Sequence, residues 1–242
     1  MKSSPTVQRH VDRAAALQAI EQWLTQIAVW SIADHGLVSL ALTGGHTPLP
    51  LYERMAAAQK AWPWADTVLF WGDERDVPPH SPDSNFGTCE RTLLTQLATP
   101  PRAIHAWRTS GPPSAALADY RHALATLPQR DGIPVLDIVL LGVGADGHVA
   151  SLFPASPQLD ARDWVAYGPG PIAPRYTLTF PLLEHAHHIA VLVTGTDKAP
   201  IVRKILVERQ ALPASRLPAD RTVWFLDRDA ASLLNDEDHR DI

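Results

Sequence analysis

The chain predicts an α/β fold: a doubly wound, largely parallel sheet with helices on both faces. Three observations carry this expectation. Helix-like and strand-like apolar patterns alternate along the whole length. The runs LVSLALT, LDIVLLG and HIAVLVTG are short and densely apolar, as strands covered on both faces are. Several such runs stop at glycine-containing turns, and the carboxyl ends of parallel strands are where open sheets of this kind place ligands.

From Val11 to about Ala33, apolar residues recur at helical spacing (Ala15, Ile20, Trp23, Leu24, Ile27), predicting one amphipathic helix ahead of the first strand, Leu37 to Thr43. A helix is expected from Pro48 to Ala58, the strand TVLFWG up to Gly72, a helix from Asn85 to Leu97, a short strand near Ile104 and a helix from Ser114 to Leu127. The strand LDIVLLG then ends at Gly142. The second half offers strands WVAYG, RYTLTF and HIAVLVTG, a helix from Asp197 to Glu208, strand TVWFL and a helical turn at Ala230 to Leu234. The proline-rich pieces DVPPHSPDSN and AYGPGPIAPR read as surface loops of a length that more often serves function than not. With no repeat and no long linker, residues 1–242 are expected to form a single domain.

With 242 residues, 45% of them hydrophobic, the chain can bury a substantial core. Its net charge is −5, and its 21 Lys and Arg are scattered, so nucleic acid is not an expected partner. A small anion is compatible with this balance, because a few placed cations and backbone N–H groups hold a phosphate inside an acidic protein. Cys89 is the sole cysteine, which excludes an internal disulfide framework and a thiolate zinc cluster and suits a cytoplasmic protein. The first twenty residues lack the layout of a signal peptide, and no apolar run approaches the roughly 18 residues of a membrane span, so no membrane partner is expected.

Gly142, Gly144 and Gly147 satisfy G-x-G-x-x-G, yet the context of a dinucleotide site is missing. That site needs an acid closing the next strand, whereas Asp160 and Asp163 lie in a turn-like ASPQLDARD. More telling, Asp146 and His148 flank Gly147 just beyond an apolar strand, so a flexible turn presents an acid and an imidazole to a crevice. The bland reading is an Asp-Gly turn beside an ordinary loop histidine. A second loop, LALTGGHTPLPLY, tilts the balance toward a site. Gly44 and Gly45 let the backbone approach a ligand, and Thr47-Pro48 reads as an N-cap followed by proline at the first helical position. Free N–H groups and the hydroxyls of Thr43 and Thr47 would then form a phosphate cradle, which is not a Walker loop because GKS or GKT is absent. At a third strand end, Asp73, Glu74 and Arg75 emerge after TVLFWG. The segment EHAHH is not expected to bind metal, since no partner ligand stands at a suitable spacing.

Together LTGGHTPLPLY, WGDERDVPPHSPDSNFG, LLGVGADGHVASLFP, RYTLTF, VTGTDKAPIV and LPASRLPADRTVWFLD make the chain resemble the 6-phosphogluconolactonases, within the broader group that includes glucosamine-6-phosphate deaminase. The resemblance covers nearly the whole length. It implies the Rossmann-type architecture of that group and hydrolysis of 6-phosphoglucono-δ-lactone in the oxidative pentose phosphate pathway, without metal or organic cofactor. It also implies that His148 activates water. Gly44, Gly45, His46 and Thr47, with Thr43, Asn85 and Arg75, would hold the substrate, and Arg175 and Lys198 would meet its phosphate. Chemistry agrees: a lactone is a reactive ester that needs a base near neutrality and stabilisation of an oxyanion. Either Asp146 or Asp73 would orient the imidazole. His46 stands where serine is common and would make binding pH-sensitive, and Arg216 stands where an apolar residue is frequent. The rival deaminase reading lacks its glutamate, because Ser151, Leu152 and Phe153 carry no carboxylate. A sugar-phosphate sensor would need a DNA-binding element that the N-terminal helix does not supply. A monomer or weak homodimer is expected.

Overall fold

Residues 4–235 are described by the computed structural model of the protein. The elements are β1 (Thr6–His10), α1 (Arg13–His35), β2 (Val38–Leu42), α2 (Leu49–Ala57), β3 (Thr67–Trp71), β4 (Asp73–Arg75), α3 (Asn85–Thr92), β5 (Ala103–Ile104) and α4 (Pro113–Leu124). They continue with β6 (Gln129–Arg130), β7 (Ile133–Pro134), β8 (Ile138–Leu141), β9 (Val165–Gly168), β10 (Arg175–Leu178), α5 (Phe180–Leu183), β11 (His188–Val193), α6 (Ala199–Leu206) and β12 (Thr222–Asp227). Seven strands form a wholly parallel sheet in the order β1-β12-β11-β8-β2-β3-β5. The expected α/β class is borne out, and so is the reason for it: every residue of β2, β3 and β8 is buried.

The order locates the crevice. After β2 the chain builds outward through β3 to β5, and after β8 it builds the other way through β11 to β12. β2 and β8 are paired neighbours, Leu40 opposite Ile138 and Ala41 opposite Val139, so the winding reverses between them. Loops leaving two such strands diverge and open a crevice at their carboxyl ends. The glycine loop after β2 and the Asp146–His148 loop after β8 are the two that flank it.

Local signals explain the long helix. Asp12 caps α1, accepting from the Ala15 N–H at 2.8 Å, and Gly36 ends it in the left-handed region with its N–H on the Ile32 carbonyl. Its inner face buries Ala16, Leu17, Ile20, Leu24, Ile27 and Ala28, each large aliphatic side chain contributing about 1.5–3 kcal/mol.

Several expectations need correction. The chain does not open on a helix, because β1 precedes it and pairs in parallel with β12 across most of the sequence. The helix itself starts at Arg13, not at Val11. WVAYG and RYTLTF do not join the parallel sheet: β9 and β10 form a separate antiparallel sheet with β4, in the order β4-β10-β9. Thus Asp73–Arg75 is a strand in its own right and not a loop where charge merely emerges. The helix from Asn85 ends at Thr92 and gives way to a short 3-10 turn, and the segment after β12 is a succession of turns and not a helical one. EHAHH leads into the amino end of β11, on the far side of the sheet from the crevice.

Candidate active site

Two buried tyrosines pin the strand ends that carry the site. The Tyr52 hydroxyl donates to the Thr43 carbonyl (2.6 Å) and accepts from the Thr43 N–H (3.1 Å), fixing the exit of β2. The Tyr120 hydroxyl does the same at β3, donating to the Trp71 carbonyl (2.8 Å) and accepting from the Trp71 N–H (2.7 Å). Trp107 stacks on Tyr120 at 3.5 Å and donates to the same carbonyl. Burial raises both phenols well above their ordinary value, so they stay protonated and keep donating.

Beyond Thr43 the glycine loop is shaped by what lies over it. A side chain at Gly44 would collide with Asn85, its Cβ falling 1.9 Å from Oδ1, and Gly45 has φ 86, so both glycines are required. The N–H groups of Gly44, Gly45, His46 and Thr47 make no hydrogen bond among the described residues. The expected Thr47 cap is absent: Pro48 occupies the capping position, and the Leu49 N–H turns back to the His46 carbonyl. The open donors therefore belong to the loop more than to the helix end.

The second loop is closed by its own backbone, Gly144 N–H to the His148 carbonyl (2.9 Å) and Gly147 N–H to the Gly144 carbonyl (2.9 Å). This lays the His148 ring directly over Gly144, where a Cβ would come within 2.0 Å of Nδ1. The His148 Nδ1 lies 2.6 Å from Asp146 Oδ1, and the ring packs on Phe153 with centroids 4.5 Å apart. Burial alone would raise the Asp146 carboxyl. The hydrogen bonds from the His148 ring and backbone outweigh it and hold the group below its ordinary value. A carboxylate only accepts, so Nδ1 carries the proton and Nε2 is left as the basic nitrogen. Of the two acids considered from sequence, Asp146 is the one bonded to the imidazole.

Asp73 is engaged elsewhere. It is buried, with Oδ2 accepting from Ser151 Oγ (2.6 Å) and Oδ1 accepting from Asn85 Nδ2 (3.2 Å). Its neighbour Glu74 serves α3: the carboxylate accepts from the backbone N–H groups of Arg75, Asn85 and Phe86 and from the Ser84 hydroxyl. Desolvation nevertheless raises its carboxyl. Arg75 donates to the Asp83 carbonyl at 2.6 Å, folding the proline-rich loop back toward the site.

Arg175 sits directly across the strand pair from Arg75. Like charges in register repel. Arg175 is also 5% exposed and lies beneath Gly170, and its Nε and Nη1 have no hydrogen-bond partner among the described residues. Burial, then the charge of Arg75, lowers it from the ordinary guanidinium value. Two facing guanidiniums, one with unused donors, make a strong electrostatic seat for an anion.

Lys198 reaches the site from the end of β11. Asp227 accepts the Gly195 N–H, holding a turn with φ 98, and the Lys198 N–H bonds the Gly195 carbonyl. Its Nζ then rests 3.0 Å from the Val143 carbonyl, within the loop that carries His148. Two clefts border this edge. One, of about 670 Å³, is lined by His46, Thr47, Lys198 and Asp227 among others. The other, of about 320 Å³, is lined by Thr43, Gly44, Gly45, Arg75 and Asn85 among others. His46 borders both. Sequence reasoning missed Tyr52, Tyr120, Ser151, Thr177 and Asp227; all but Tyr120 stood inside segments already quoted, but each acts through a partner outside its own turn of chain, which no local pattern reveals.

The parallel sheet and the loops at its point of reversal define a doubly wound α/β protein whose crevice is furnished with an imidazole, open N–H groups and cations. The chain belongs to the family described as glucosamine-6-phosphate isomerases/6-phosphogluconolactonase, whose model matches residues 11–224. It is similar to the 6-phosphogluconolactonase of Synechocystis sp., with 38% identity over 84% of this chain and 88% of that protein. The 6-phosphogluconolactonase of Nostoc sp. is 35% identical over 95% of this chain and 98% of its own. Among solved structures, the 6-phosphogluconolactonase of Trypanosoma brucei superposes with a TM-score of 0.82 at 29% identity, covering 96% of this chain and 99% of that one.

Proposed function

We propose that the protein hydrolyses 6-phospho-D-glucono-1,5-lactone to 6-phospho-D-gluconate, with His148 as the base that activates water. The observation that carries the reading is the 2.6 Å Asp146–His148 pair at the carboxyl end of β8, beside the open glycine loop of its neighbour β2. The 6-phosphogluconolactonases to which the chain is similar supply the substrate. Water adds to the lactone carbonyl carbon while its proton passes to Nε2; the tetrahedral intermediate then expels the ring oxygen, which takes that proton back. Arg75 and the unused N–H groups of Gly44 and Gly45 supply the positive potential that the oxyanion needs. Arg175 and Lys198, with His46 and Thr47, hold the phosphate, and Asn85 bears on the substrate through Gly44. Asp73 belongs to the framework. Because the lactone is already reactive, the reading assigns no metal or organic cofactor, and it places a monomer or weak dimer in the cytoplasm, where the lone buried Cys89 stays reduced.

Phosphogluconate release from freshly prepared lactone, measured against the spontaneous rate, tests the reading. Release of ammonia from glucosamine 6-phosphate without lactone hydrolysis would favour the deaminase instead. Three further outcomes are expected. Replacing Asp146 with alanine lowers kcat by about 100-fold, less than the ~10⁴ that the buried carboxylate contributes in a Ser-His-Asp triad, because Asp146 is 49% exposed. The sign of the pH effect follows from its depressed carboxyl. The support it gives the fold is complete above the ordinary aspartate value and fades only as pH falls through the lower, folded one. Acid unfolding of the wild type should therefore begin at lower pH than in the Asp146→Ala variant. His46→Ser should change the pH profile of KM, since His46 borders both clefts; an unchanged profile removes His46 from phosphate binding.

A further inference from the structure

Among the described residues, the hydrogen bonds that tie the His148 loop to the arginine strands are both made by Ser151. Its hydroxyl donates to Asp73 Oδ2 (2.6 Å), and its N–H donates to Thr177 Oγ1 (3.1 Å). Thr177 and Asp73 are opposite each other in the β4–β10 pair, two residues before Arg75 in one strand and two after Arg175 in the other. With a side-chain period of two, Asp73 shares a face with Arg75, and Thr177 with Arg175. Ser151 is 1% exposed, and the preceding Ala150 is held at φ 49, an unfavourable conformation for alanine. The Leu152 N–H to Val149 carbonyl bond (2.9 Å) closes the turn around it. On the other side of Asp73, Asn85 Nδ2 donates to the Asp73 carbonyl (2.9 Å) and carboxylate, and Asn85 presses on Gly44.

We infer that Ser151 is a positioning residue: through the Asp73 carboxylate it sets the placement of the His148 imidazole relative to the Arg75–Arg175 pair and the glycine loop. The inference rests on the proposed lactone hydrolysis. The junction has the features such a role requires. The loop after β8 and the start of α3 meet at one buried carboxylate carried by β4, whose oxygens are each used, and Asn85 links it to the glycine loop after β2, so a lost partner leaves a buried group unsatisfied. Ser151 is enclosed, whereas the His148 side chain is 31% exposed, which separates this role from substrate contact. A group that only positions the base should act on turnover, because reacting groups displaced by an ångström lose about 100-fold while the distant phosphate contacts persist.

The test compares Ser151→Ala, Ser151→Cys and Ser151→Thr in steady-state lactone hydrolysis, with phosphogluconate affinity measured by calorimetry. Alanine and cysteine, which lack a strong donor, are expected to lower kcat by roughly 10- to 100-fold with KM and product affinity changed by less than about 3-fold. Threonine, which keeps the hydroxyl, should restore kcat to within about 3-fold of wild type. Wild-type kcat in the cysteine variant overturns the inference, as does a parallel loss of kcat and product affinity in all three variants, which would mark a packing defect. Should the alanine variant fail to fold, the cysteine–threonine comparison decides alone. An inactive wild type removes the functional reading and this inference together, whereas an active wild type with an unaffected cysteine variant removes this inference only.

Discussion

Replacing His148 with alanine should lower kcat for lactone hydrolysis by about 10²- to 10⁴-fold while KM stays within a few-fold of wild type, the contribution expected of a positioned general base. The split follows from the site. The imidazole lies over Gly144 with Nδ1 committed to Asp146, so its loss removes the proton acceptor without disturbing the cations at Arg175 and Lys198. Uniform binding sets KM and is untouched; the interaction removed exists only as water is deprotonated. A residual rate above the spontaneous one should survive, because the glycine-loop donors and Arg75 still face the carbonyl oxygen in the proposed geometry. Steady-state kinetics with freshly made lactone measures this, and an equal rise in KM with unchanged kcat would reassign His148 to binding.

Arg175→Met should behave in the opposite way: KM rises by about 100-fold or more, kcat changes less, and the unliganded protein becomes no less stable. Hydrogen bonds to charged groups contribute about 1.5–3 kcal/mol each, and a guanidinium offers two in a fork, enough for that loss of affinity. Stability moves the other way because Arg175 is a buried cation facing Arg75, with two nitrogens unpaired among the described residues. Replacing such a charge by an apolar side chain of similar length relieves desolvation and repulsion. Inorganic phosphate should raise the wild-type melting temperature and leave that of the variant unmoved. A variant that melts well below wild type without phosphate would show that the arginine holds the fold and not the ligand.

Much of this arrangement was legible locally. The continuous burial of β2 and β8 follows from runs such as LVSLALT and LDIVLLG, which have no polar face to expose. The boundaries of α1 follow from Asp12 and Gly36, each acting within four residues of itself. The acid that orients His148 also proved to be the local one, two residues away in the same turn. By contrast, β1 is five residues of mixed character whose only reason to be a strand is β12, more than two hundred positions later. The run Asp73–Arg75 reads as a solvated charge cluster and becomes a strand only because β10 supplies its partner.

The sequence by itself determined the class of fold, the strand ends that carry glycine and charge, and the residue types available for acid–base chemistry, because hydrophobic period, capping and glycine freedom are properties of neighbouring residues. Tertiary structure decided which of those groups meet. It brought β2 beside β8, turned Arg175 toward Arg75, gave Asp73 to Ser151 and Asn85, and pinned the strand exits with Tyr52 and Tyr120. Most of these pairings join residues far apart in the chain, and their energies depend on burial and on unsatisfied partners that exist only once the core has closed.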